Sequence, residues 1–65
     1  MGLVGKRIAE VLEEQGRKRI WLAKKLGVSP GHLTRLLQGE RPWTEELVER
    51  AVELLGIRLE DLPRG

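Results

Sequence analysis

Apolar residues recur along this chain at helical spacing, and nowhere do they alternate as a half-buried strand requires. That pattern restricts the fold to packed helices. Val4, Ile8, Val11 and Leu12 fall at i, i+4, i+7 and i+8, one face of a first helix over about 3–15 that ends at Gly16. Leu22, Ala23 and Leu26 mark a short second helix over about 18–26, stopped by Gly27. Its start is poorly capped, because Arg17 and Lys18 cannot accept the free amide hydrogens as Ser or Asp would. Ser29-Pro30 opens a third helix, Ser29 as the cap and Pro30 in the first position, where a missing amide hydrogen costs nothing. Leu33, Leu36 and Leu37 form its inward face, and Gly39 ends it. Thr44 caps a fourth helix whose first turn carries Glu45 and Glu46, the sign the helix dipole favours. Leu47, Val48, Ala51, Val52, Leu54 and Leu55 carry it to Gly56, and Leu59-Glu60-Asp61-Leu62 fits one last short turn. The predicted architecture is all-α: four helices plus a C-terminal helical turn, one domain over 1–65.

The composition removes several function classes. Without cysteine there are no disulfides and no thiolate metal sites, and the single histidine, His32, cannot build a cage alone. No cofactor or metal is expected. Two tryptophans without Phe or Tyr leave little for an aromatic base-stacking platform. There is no Gly-rich phosphate loop, no Cys–His or Ser–His–Asp set, and too little volume in 65 residues for a substrate pocket, so the chain does not read as an enzyme. No apolar run is long enough to span a membrane, and the start lacks a signal-peptide core. The expected setting is the cytoplasm.

Charge says more by position than in total. The net charge is only +2, but residues 1–41 hold nine basic and four acidic side chains, while residues 42–65 hold three basic and six acidic. A basic front and an acidic rear suit a polyanion at one end, nucleic acid above all. The plainer reading is that such segregation keeps a small domain soluble.

The second and third helices are joined by only Gly27-Val28-Ser29, a connection short enough to force a steep crossing: a helix-turn-helix. Ala23 is small enough for close approach, and Gly27 supplies the positive φ the turn needs. The run Leu22-Ala23-Lys24-Lys25-Leu26-Gly27-Val28-Ser29-Pro30, then Leu33-Thr34-Arg35-Leu36-Leu37-Gln38-Gly39, resembles the lambda-repressor-like, Cro-type helix-turn-helix family. The resemblance continues through Glu40-Arg41-Pro42 and the capped fourth helix to Leu62. It implies an all-α DNA-binding domain of the kind found in repressors, bacterial regulators and antitoxins, acting as a homodimer on palindromic double-stranded operator DNA, within the nucleoid.

By position, the resemblance places Ser29, Pro30, Gly31, His32, Thr34 and Arg35 against the major groove. Arg35 has the planar fork that spans guanine O6 and N7; a phosphate clamp or a solvated arginine are its other readings. Gly31 lets backbone approach DNA, or is drift. Pro30 offers only apolar contact, and His32 can reach phosphate or base or simply lie on the surface. Arg17, Lys18 and Arg19 at the start of the second helix, with Arg41 after the third, are the expected phosphate contacts. Lys24 and Lys25 read as solvated. A dimer contact is expected at Leu55, Ile57, Leu59 and Leu62. A protein partner is the alternative function, an antitoxin or adaptor on the same fold, with Trp21 and Leu62 as exposed apolar candidates. Trp21 otherwise covers the first helix, and Trp43 closes the loop before the fourth.

The chain departs from the family's pattern at Leu12 and Leu37, where many members carry an Arg–Glu pair between the first and third helices. An apolar pair avoids desolvating two charges and can match the ionic one. If the two leucines meet, Leu12→Arg alone should destabilise by about 3–5 kcal/mol through an unpaired buried charge, and adding Leu37→Glu should recover much of the loss. Urea unfolding of the two single variants and the double variant measures the coupling; a value near zero means the positions never touch.

Overall fold

The computed structural model describes residues 3–63. Its elements follow the order α1 (Leu3–Glu14), α2 (Arg19–Leu26), α3 (Pro30–Leu37), α4 (Glu45–Leu55) and a 3₁₀ turn at Leu59–Asp61. Among the described residues there is no strand. The caps are those the side chains require. Ser29 Oγ accepts from the His32 N–H at 3.1 Å, and Thr44 Oγ1 accepts from the Leu47 N–H at 3.2 Å. α2 starts on Lys18 with no side-chain cap bond, as its sequence dictates. It ends on Gly27, whose φ of 75° turns the chain left-handed so that Val28 N–H can reach back to the Ala23 carbonyl.

α1 packs on α3 and α4, and α2 packs on the same two helices. Ile8, Leu22, Leu33 and Leu36 are the large side chains fully enclosed between them. Ala23 and Ala51 are equally enclosed, small residues where the helices come near one another. Leu12 and Leu37 both enter this cluster. α4 gives it only Ala51 and Leu55, while Leu47, Val48, Val52 and Leu54 are half-buried along its flank.

The tail corrects two expectations. Leu62 is buried, not an exposed partner candidate, and Leu55 also belongs to the protomer's own core. The reason is local: Leu62 leaves the 3₁₀ turn in an extended conformation (φ −92°, ψ 140°), which returns its side chain to the core. Leu59, inside the turn, stays 56% exposed, and Ile57 is half-buried.

One close approach between helices involves a residue without a side chain. Gly5 of α1 is buried against the end of α3, where a Cβ would lie 2.5 Å from the Leu36 carbonyl oxygen and 2.7 Å from that of Leu37. Both obstacles are backbone, so no rotamer change relieves them. The Leu36 oxygen also accepts the indole N–H of Trp43 at 2.9 Å and the Gly39 N–H at 3.2 Å. Trp43 thus closes the loop before α4 by a specific bond as well as by cover.

Two glycine substitutions should therefore move stability in opposite directions. Alanine gains up to about 1 kcal/mol over glycine inside a helix. At Gly31 a Cβ meets nothing within 4 Å, so Gly31→Ala should raise stability by about that amount. At Gly5 the same gain is outweighed by overpacking, and Gly5→Ala should lose about 1–3 kcal/mol net. Urea midpoints at unchanged m-value are the measurement. A Gly5→Ala variant as stable as the parent would contradict the close approach of α1 and α3.

Candidate nucleic-acid interface

The residues expected to meet DNA come from three stretches: the start of α2, the first turns of α3, and the loop after α3. α3 supplies most of them because Leu33, Leu36 and Leu37 face inward, which turns Pro30, Gly31, His32 and Arg35 outward. Ser29 is exposed at its N-terminus. Its Oγ is occupied as an acceptor by the cap, while the hydroxyl proton stays available to donate outward. Thr34 is half-buried and its Oγ1–H donates to the Pro30 carbonyl at 3.0 Å, so it presents a methyl group and oxygen lone pairs but no proton.

Ser29, Gly31, His32, Arg35 and Arg41 line one open depression. The fold thereby brings Arg41, from beyond the end of α3, to the side chains of that helix's first turns. Pro30 and Thr34 do not line it. A second open depression lies along α2, lined by Arg17, Lys18, Ile20, Trp21 and Lys24. Arg19 is exposed at the first position of α2 and lines neither.

Electrostatically these basic side chains are uncompensated. Among the described residues the ion pairs run from Arg7 to Glu10 and Glu14, along the outside of α1. No carboxylate pairs with Arg17, Lys18, Arg19, Arg35 or Arg41 among those residues. The start of α2 adds a helix N-terminus with no side chain capping it, where amide hydrogens and dipole both favour an anion.

Lys24 is exposed, as its reading as a solvated lysine expects, and lines the α2 depression with Arg17 and Lys18. The Arg17 guanidinium lies over the Trp21 ring, its central carbon 4.3 Å from the centroid. Gln15, which sequence reasoning passed over, accepts from Arg17 Nε–H at 2.8 Å and donates to the Leu55 carbonyl at 2.7 Å. A glutamine at the end of an amphipathic helix carries no periodic signal, and its second partner lies 40 residues away. Only the fold reveals it. Ile20, 53% exposed beside this cluster, has no core role.

Neither the search of curated proteins nor that of solved structures gave a match. A family model described as a helix-turn-helix domain matches residues 3–64, the whole run from the start of α1 past the 3₁₀ turn. With α2, the Gly27 turn and α3 in the arrangement that name describes, the chain belongs to the helix-turn-helix domain family.

Proposed function

We propose that this chain is a sequence-specific double-stranded DNA-binding transcriptional regulator, acting as a repressor by occupying its operator. The observation that carries the reading is the single open face on which Ser29, Gly31, His32, Arg35 and Arg41 meet with no carboxylate partner among the described residues. α3 enters the major groove, with Arg35 as base reader and Ser29, His32 and Arg41 beside it. Pro30 and the Thr34 methyl offer apolar contact. Arg17, Lys18 and Arg19, at the start of α2, hold the phosphates, and the chain catalyses nothing. Its place is the cytoplasm, on the nucleoid, and residues 1–65 act as one domain.

Two copies bind one palindromic operator, since half-sites about 34–36 Å apart supply the contacts a single small domain lacks. With Leu55 and Leu62 enclosed in the protomer, the contact between copies rests on Ile57 and Leu59. A second reading, a protein partner in the manner of an antitoxin or adaptor, is favoured by the exposed Ile20 beside the half-buried Trp21.

Selection from random duplexes should yield a palindromic site that binds two chains at saturation. Sedimentation on the selected duplex measures the ratio, and one chain per duplex would exclude the dimer.

Reader and clamp should separate on that site. Arg35→Ala should cost about 1–3 kcal/mol and relax preference at one base pair in each half-site. Arg19→Ala should weaken binding to all sequences alike and lower the salt slope by about one. Binding of both variants to the selected site, single-base variants and random DNA across a salt series decides the matter. Full sequence preference in Arg35→Ala, with loss in Arg19→Ala, would reverse the two roles. If neither variant differs from the parent, the protein-partner reading takes precedence.

A further inference from the structure

Arg17 sits in the connection between α1 and α2, on the surface, yet it is held at several points. Its backbone N–H donates to the Leu12 carbonyl at 2.9 Å. Its Nε–H donates to Gln15 Oε1 at 2.8 Å, and its guanidinium carbon lies 4.3 Å from the Trp21 ring centroid. Gln15 is itself fixed, donating through Nε2 to the Leu55 carbonyl at the last turn of α4. An exposed arginine ordinarily keeps its rotamer freedom. Here the side chain is restrained by a hydrogen bond and an aromatic ring, without a carboxylate among the described residues.

The manner of restraint indicates its use. A guanidinium has five N–H donors. Gln15 engages Nε, and the guanidinium carbon sits over the Trp21 ring. The two terminal amino groups keep their donors and the charge keeps its full reach, since no protein acceptor or carboxylate meets them among the described residues. Two parallel N–H donors on a rigid plane match a phosphate's oxygens. Lys18 and Lys24 line the same depression and deepen the positive field. A purely structural role for Arg17, covering Trp21, would need the stack but not the bond to Gln15.

We propose that Arg17 is a preorganised phosphate clamp, and that Gln15 and Trp21 are positioning residues that hold its fork toward the DNA backbone. The proposal rests on the reading of the chain as a duplex DNA binder. It adds that the tie from Gln15 to Leu55 makes the clamp's geometry depend on the end of α4. Ordering this side chain before binding removes an entropic cost otherwise met at the moment of association.

The test is a double-mutant cycle on DNA affinity, using the whole chain and a selected duplex, with random duplex alongside. Arg17→Ala should weaken both duplexes by a similar several-fold factor and lower the salt slope by about 0.9. Arg17→Lys, which keeps the charge but loses the fork, should restore the slope and only part of the affinity. Gln15→Ala and Trp21→Leu should each weaken binding several-fold with Arg17 present, and should leave affinity unchanged in the Arg17→Ala background. Urea unfolding of every variant identifies any that is not folded at the assay temperature. Gln15→Met, which keeps the side chain's length without its polar atoms, then replaces Gln15→Ala in the cycle.

A Gln15 or Trp21 effect of equal size in both backgrounds would overturn the positioning role. Unchanged affinity in Arg17→Ala, with the parent still binding DNA, would overturn the clamp and leave the DNA-binding reading standing. A parent chain that binds neither duplex would remove that reading and the clamp with it.

Discussion

One carbonyl near the end of α3, that of Leu36, is where three parts of the chain converge. The Gly39 N–H turns the chain back onto it, the Trp43 indole reaches it from the loop before α4, and α1 approaches so closely at Gly5 that no side chain fits between. Each contact has a different physical character: a terminal turn bond, a specific side-chain bond and a steric limit. A side chain at Gly5 would push α1 away from the end of α3, and Ile8, Val11 and Leu12 of the same helix would pack less closely in the cluster. The face that carries Ser29, Gly31, His32, Arg35 and Arg41 is held from behind by this junction.

The elements were legible in the sequence because their causes are local. Ser29-Pro30 and Thr44 announce helix starts through short-range side-chain bonds, and Gly27 announces a stop because its neighbours cannot follow it into positive φ. What was not legible depends on residues far apart in the chain. Gly5 within an apolar stripe reads only as a weak helix former, and its reason lies more than thirty residues downstream at Leu36 and Leu37. Leu59 and Leu62 look interchangeable as letters, yet one faces solvent and the other fills the core, because the first lies in the 3₁₀ turn and the second is extended. Which α3 residues face outward was legible because the inward leucines fix it. The bond from Gln15 to Leu55 had no sequence signal at all.

Charge is distributed to match this arrangement. The acidic surplus lies in residues 42–65, on α4 and the turn after it, while α2, α3 and their loops carry Arg17, Lys18, Arg19, Arg35 and Arg41 with no ion pair among the described residues. The ion pairs are spent on the outside of α1, where Arg7 meets Glu10 and Glu14. Exposed pairs of that kind contribute little to stability.

The grip on the end of α3 also bears on where adaptation must occur when the proposed reading head meets its operator. A helix locked by backbone contact with α1 and by the Trp43 bond cannot tilt or slide without disturbing the core. On the proposed reading, adaptation falls to the duplex, whose bending depends on base steps the protein need not touch. Pyrimidine–purine steps yield easily and A-tracts resist. Stiffness at the centre of a proposed operator would then help to distinguish one site from another, and the rigidity behind it traces in part to Gly5.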